Sequence, residues 1–195
     1  MTPLVNDERL FFEASGLYDG LVLLGDTKTR SYWNHITGEC LHGHYLGAQL
    51  EVNNLLHYSL ERALDEFPDL LFAISKMSLI YRIIASIAGD QMMRSKGFIP
   101  PHFRSTMAHG DDRLDENELG LGVVIDGKAK FYNVDIIMSD KIVDVFQGRN
   151  LEIWLDSSTR TPRCIVKGSD EIPLQLYTRW FGFSLSYKSC DIYRK

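Results

Sequence analysis

The stretch from Gly122 to Tyr132, read as GVVIDGKAKFY, constrains the fold of this chain more than any other. An apolar, β-branched run leads into Asp126-Gly127, and a second run with β-favouring residues follows. A two-residue hairpin turn needs positive φ at both central positions, which Asp and Gly supply cheaply, so the stretch predicts an antiparallel hairpin. Further along, Leu151-Glu152-Ile153-Trp154-Leu155 alternates apolar and polar residues. Ser157-Ser158-Thr159 reads as the turn before a strand from Arg163 to Val166, and Pro173 ends or edges a strand because it lacks an N–H.

The N-terminal third has the same character. Leu21 to Leu24 is a continuous apolar run suited to a buried strand. Asp26 to Thr29 is a polar turn, and Ser31 to Ile36 resumes with β-favouring residues. Gly38 marks another turn, with Glu39 to Tyr45 as a third strand of the meander. Between the two β regions the period changes. Ser59 caps a short helix through Phe67, stopped by Pro68. Leu70 to Gly89 is long and apolar, but Lys76 and Arg82 lie inside it, and a central charge costs about 2.5–3.5 kcal/mol on insertion scales. Ser75, Ser78, Arg82, Ser86 and Asp90 recur at helical spacing, so the segment reads as an amphipathic core helix rather than a transmembrane span.

The expected fold is α+β: a mostly antiparallel, hairpin-built β core with a helical segment inserted between two β sections. One domain covers 1–195, with a β section over 10–52, a helical section over 55–97 and a β section over 119–187. No convincing short repeat is visible in the residues. Hydrophobic residues at 45% and charged residues at 24% suit a globular domain. With 21 basic against 26 acidic side chains, a formal net charge of -5 and no basic stripe, nucleic acid is not the expected partner. The three cysteines Cys40, Cys164 and Cys190 are too few and too scattered for a disulfide scaffold. The opening residues lack a basic head followed by an apolar stretch, so the expected compartment is the reducing cytoplasm. A helix over 70–95 also offers a surface for oligomerisation.

The densest chemistry lies in WNHITGECLHGH, which gathers His35, Cys40, His42 and His44 within ten residues. On a strand, Cys40, His42 and His44 share one face, and His35 folds back as a fourth group across the Thr37-Gly38 turn. A thiolate with imidazoles suits zinc, copper or iron rather than a hard cation. The spacing matches none of the common zinc signatures, and ligands at alternate strand positions need a bend around an ion. Three readings therefore stand side by side: a transition-metal site, a metal-free polar pocket, and hydrogen-bonded histidines beside an inert buried cysteine.

Arg179 and Trp180 form a second candidate, since an arginine among aromatics can clamp an anion while stacking on a ring; the same arginine also suits pairing with a core acid such as Glu39 or Asp26. Trp33 serves as core or as a ligand platform. The acidic run at Asp111, Asp112, Asp115, Glu116 and Glu118 lacks the spacing of a calcium loop, and Gly120-Leu121-Gly122 precedes a strand rather than a helix, so neither predicts a ligand.

The phrases SGLYDGLVLLGDTKTRSYWNHITGECLHG, FRSTMAHGDDRLDENELGLGVVIDGKAKFY and TRWFGFSLSY resemble the domain of unknown function 3179 family. The shared pattern is Thr29/Ser31/Trp33, then Thr37-Gly38-Glu39 with Gly43, then Gly122/Val123 with Gly127/Ala129/Tyr132, and the resemblance runs from about Phe12 to Tyr187. It implies a β-rich fold and assigns no reaction. Longer members carry an upstream half with a Cys-Pro-Leu-Cys-like motif that has no counterpart before Phe11. The chain is thus expected to be a shortened member, with a protein partner replacing that half as one further reading.

The functional expectation is a small-ligand-binding or scaffold domain with a polar pocket near His42 and Arg179, using Trp33 and Trp180. The alternative is a metal- or thiol-dependent enzyme using Cys40, His42 and His44, with His35.

Overall fold

Antiparallel hairpins dominate the fold. The computed structural model describes residues 2–55, 57–58, 60–71, 83, 86, 101–107, 110–157 and 159–195. In chain order the elements are β1 (Leu4–Val5), β2 (Glu8–Arg9), β3 (Phe12–Tyr18), β4 (Leu21–Asp26), β5 (Tyr32–Asn34), β6 (Cys40–His42), α1 (Leu60–Glu66) and α2 (Pro101–Arg104). There follow β7 (Leu119–Ile125), β8 (Lys128–Asn133), α3 (Val134–Ser139), β9 (Ile142–Phe146), β10 (Arg149–Leu155), β11 (Pro162–Val166), β12 (Leu174–Arg179), α4 (Trp180–Ser186) and β13 (Asp191–Ile192). This is an α+β fold with a β-rich core. The apolar segment read as a helix over 70–89 falls almost entirely outside the described residues, and so does its use for oligomerisation. Among the described residues no helix is long and apolar enough to cross a membrane.

The Asp-Gly signal is realised. Asp126 (φ 49°) and Gly127 (φ 72°) join β7 to β8, and the same turn conformation recurs at Asp19-Gly20 and at Gln147-Gly148. Two sheets stack in the C-terminal half, one in the order β12-β7-β8-β13 and the other β11-β10-β9. Between them lies a core of Leu121, Val123, Ile125, Tyr132, Ile142, Phe146, Leu151, Ile153, Cys164 and Val166. α4 covers the opposite face of β7 and β8 with Trp180 and Phe183 against Phe131. The glycines read in the sequence as no phosphate cradle have this packing role: a Cβ on Gly122 would lie 2.0 Å from the Phe183 ring.

The N-terminal sheet, β3-β4-β5-β6, has its own core of Val5, Leu10, Trp33, Cys40 and Leu50, with Phe12, Leu24 and Tyr45 packed around it. Its last strands are shorter than the sequence suggests. β5 stops at Asn34 because the Asn34 side chain accepts from the backbone N–H groups of Ile36 and Thr37, at 2.8 and 3.2 Å, and closes a turn. The strand expected over 39–45 is only Cys40–His42. Gly43, at φ 102°, turns the chain where a Cβ would lie 2.7 Å from the Ser31 Cα.

The turns after β4 and β10 share one hydrogen-bond pattern. At Asp26 the backbone bonds are Asp26 N–H to Ser31 C=O (3.0 Å) and Arg30 N–H to Asp26 C=O (3.1 Å). At Asp156 they are Asp156 N–H to Thr161 C=O (2.9 Å) and Arg160 N–H to Asp156 C=O (2.8 Å). Each Asp accepts from the N–H of the Thr three residues on, and each Thr hydroxyl meets the hydroxyl two residues further on at 2.7 Å. Arg30 and Arg160 both adopt positive φ, 60° and 54°. The ladders beyond also match, with Leu24 opposite Trp33 and Trp154 opposite Arg163.

Candidate functional site

The residues first singled out do not assemble into one site. Cys40 is 1% exposed, packs beside Trp33 in the N-terminal core, and its Sγ donates to the His42 carbonyl at 3.4 Å. Burial pushes this thiol above its ordinary value, which disfavours the thiolate that nucleophilic or metal chemistry needs. His42 is exposed and stacks on Tyr32 (6.1 Å between rings), while His44 sits in the following turn with its ring edge-on to Tyr45. Among the described residues no group of three or more His, Cys, Asp or Glu side chains is placed to share an ion. The common strand face expected for Cys40, His42 and His44 is lost because the chain turns at Gly43.

The arginine–tryptophan pair also separates. Trp180 is fully buried, and its indole N–H donates to the Asp111 carbonyl at 2.9 Å. The guanidinium over its ring is that of Arg113, at 5.3 Å, not that of Arg179. Arg179 donates to the Asn117 carbonyl at 2.9 Å. Trp33 is fully buried too, so neither tryptophan is a platform for a ligand. The acidic loop is stitched to its surroundings: Asp111 chelates Arg113, Glu116 pairs with Arg104, and Glu118 accepts from Asn133.

A second polar cluster closes on itself. The Lys130 ammonium lies 2.6 Å from Asp144 and within 6 Å of the rings of Tyr132, Phe146 and Tyr193, while Tyr132 donates to Asp144 at 2.8 Å. Its charge and hydrogen bonds tie β8 to β9 and to the chain after β13. Cys164, buried nearby, has its thiol pushed up to about 12 by burial, with the Asp144 charge adding to it.

His35 leads instead to a cleft between the N-terminal sheet and β12. Walls of His35, Ile36, Val52, Asn53, Leu55 and His57 face Leu174 to Thr178 across about 240 Å³. Successive strand side chains point to opposite faces, so a cleft touching five consecutive residues of β12 runs along the edge of that strand. A second hollow of about 170 Å³ shares Leu55, His57, Gln175 and Tyr177 and continues towards Trp154, Arg163 and Cys164.

Local chemistry fixes these walls. The Asn34-capped turn carries His35 and Ile36 out of β5 towards the cleft. His35 Nδ1 lies 2.7 Å from the Val22 carbonyl, which can only accept, so Nδ1 carries a proton and donates, and the ring is held with Nε2 as its other polar atom. His57 meets the Tyr177 ring edge-on at 6.0 Å. Burial pushes the Tyr177 hydroxyl above its ordinary value, with Arg179 pulling the other way, so it stays a neutral donor at physiological pH. Gln175 accepts from the Cys164 N–H at 2.8 Å and donates to the Cys164 carbonyl at 3.0 Å, filling the place of a strand beside β11.

Proximity in sequence groups His35 with Cys40, His42 and His44, none of which lines the cleft, and leaves His57, Gln175 and Tyr177 unmarked. His57 stands alone in sequence, and LQLYT reads as an ordinary strand; no local pattern marks them. Comparison with family models, curated proteins and solved structures found no match to this chain.

Proposed function

We propose that this protein is a small-ligand-binding domain whose site is the cleft along β12, between His35 and His57 on one side and Gln175 to Thr178 on the other. The observation that carries the reading is this mostly apolar slot with few fixed polar groups: the His35 imidazole pinned through Nδ1, the Tyr177 hydroxyl, and the strand edge. Such a lining binds an apolar body and orients it through a few hydrogen bonds. The cleft lining does not include His42 or Arg179. Three free, buried cysteines fit a cytoplasmic protein. The order of the Thr29/Ser31/Trp33, Thr37-Gly38-Glu39 and Gly122 to Tyr132 motifs keeps the domain of unknown function 3179 family as part of this proposal.

Saturation-transfer NMR with a library of small amides, carboxylates and heteroaromatics tests the reading. Leu55 is 78% exposed yet lines both hollows, so Leu55→Trp fills the site with little effect on folding. The expected result is a set of fragments that bind the natural protein and bind the variant at least tenfold more weakly at equal thermal midpoint. Fragments that bind both proteins equally, or none that bind at all, overturn the proposal.

A further inference from the structure

Among the described residues β12 pairs as a strand with β7 on one side only. In an antiparallel pair, backbone groups point alternately towards and away from the partner. Gln175 N–H leaves the ladder to reach Asn54 Oδ1 at 2.7 Å, so residues 173, 175 and 177 present their backbone groups outward. Asn54 Nδ2 donates in turn to the Pro173 carbonyl at 3.1 Å. These two bonds flank Leu174 as one residue of a parallel neighbouring strand would: one N–H given to the residue before, one C=O accepting from the residue after. The Asn54 carboxamide thus imitates the first residue of a missing strand.

The next equivalent position lies opposite Leu176, between the Gln175 carbonyl and the Tyr177 N–H. Among the described residues nothing pairs with either group. Gln175 and Tyr177 both line the cleft of about 240 Å³. An open strand edge is a template for another extended chain, and proteins commonly cover it or interrupt it with charge or proline. Here Pro173 and Asn54 close one end, and the slot opens directly after them.

We propose that this edge binds an extended peptide segment of a partner protein, running parallel to β12. The peptide residue opposite Leu176 donates its N–H to the Gln175 carbonyl and accepts from the Tyr177 N–H. Its neighbours place apolar side chains against Ile36, Val52 and Leu55 on one side and against Tyr177 and His57 on the other. Main-chain bonds give such a site its affinity, and the alternate side-chain pockets give it selectivity. The inference rests on the ligand-binding reading above and narrows its ligand to peptides.

The test is a titration of the ¹⁵N-labelled full chain with acetyl-Val-Leu-Val-amide, beside the same peptide N-methylated at leucine. The expected result is a downfield shift of the Tyr177 amide proton and at least tenfold slower exchange at that site. N-methylation, which deletes the bond to the Gln175 carbonyl, is expected to weaken binding at least tenfold, and Leu55→Trp to abolish it. Equal binding of both peptides overturns strand pairing. So does a Tyr177 amide already protected in the free protein, or one that shifts with protein concentration alone, since the edge is then covered by this chain or by a second copy. If small molecules bind the cleft and peptides do not, this inference falls and the ligand-binding reading stands; if neither binds, both fall.

Discussion

Asp26 and Asp156 begin turns with the same backbone bonds, the same Thr contact and the same left-handed arginine, yet their surroundings are opposite. The Asp26 carboxylate is fully buried and accepts from Thr29 N–H and Oγ1, both at 2.6 Å, and from Ser31 N–H at 2.9 Å. The Asp156 carboxylate is half-buried and lies 3.1 Å from the guanidinium of Arg163. The strands explain the difference. In β5 and the residue before it, Ser31 and Trp33 face inward; in β11 the inward set is Pro162, Cys164 and Val166. A one-residue change of phase turns the other face of a hairpin to the core. The position that holds Trp33 in the first hairpin holds Arg163 in the second. Turn geometry is therefore set within six residues, while the buried face is set by the strands on either side.

The largest expected effect separates those equivalent positions. Trp33 is fully buried between Phe12 and Tyr45, so Trp33→Ala opens a cavity and is expected to cost about 4 kcal/mol. Arg163→Ala removes a partly exposed ion pair and is expected to cost less than about 1 kcal/mol. Urea denaturation of both variants measures the gap, and similar losses would mean that the two hairpin faces are not exchanged as described.

The carboxylates themselves come next. Asp26→Ala leaves four donors, the N–H groups of Lys28, Thr29 and Ser31 and the Thr29 hydroxyl, without their acceptor in a part-buried turn. It is expected to cost about 3 kcal/mol, against about 1 kcal/mol for Asp156→Ala, where water replaces the lost oxygen. Acid sharpens the contrast. Burial alone pushes the Asp26 carboxyl up, but the hydrogen bonds from Thr29 and Ser31 outweigh it and hold the carboxyl below its ordinary value. The Trp33 indole N–H adds to this, although among the described residues no acceptor meets it in ordinary hydrogen-bond geometry. A carboxyl with a lowered folded value contributes stability that is present above its unfolded value, about 3.9, and lost as pH falls through the folded one. The natural protein is thus expected to lose stability below about pH 4 more steeply than Asp26→Asn does. Parallel pH profiles for the two would remove Asp26 from the acid transition.

The paired turns were written in the chain as Asp26, Thr29, Arg30 and Ser31, and again as Asp156, Thr159, Arg160 and Thr161. A search for repeats misses them because the flanking strands are out of phase, so hydrophobicity does not repeat with the polar residues. The Asp-Gly hairpin was legible because its signal lies in adjacent residues. The cleft was not, because His35, His57 and Tyr177 are brought together only when the N-terminal sheet meets β12. Closeness in sequence misled for the same reason: His35, Cys40, His42 and His44 are near in the chain, but the Asn34 cap and the turn at Gly43 send them to four different environments. Arg179 and Trp180 fail as a pair at the junction of β12 and α4, where strand alternation ends and the tryptophan turns into the core.

The smallest expected effect tests the shared turn itself. Arg30 and Arg160 sit in the left-handed region, where an L side chain costs roughly 1–2 kcal/mol that glycine does not incur. Glycine in turn gives the unfolded chain more freedom, which offsets about 0.5–1 kcal/mol of the gain. The exposed ion pair of Arg30 with Glu13 contributes little either way. Arg30→Gly and Arg160→Gly are each expected to stabilise the protein by about 0.5 kcal/mol, read as equal rises in urea midpoint. The equality matters more than the size. A strain that belongs to the backbone of the turn is indifferent to whether Asp26 or Asp156 lies beside it, and to which face of the hairpin is buried. If the two substitutions differ by more than about 1 kcal/mol, the turns are coupled to their separate cores and the local rule breaks.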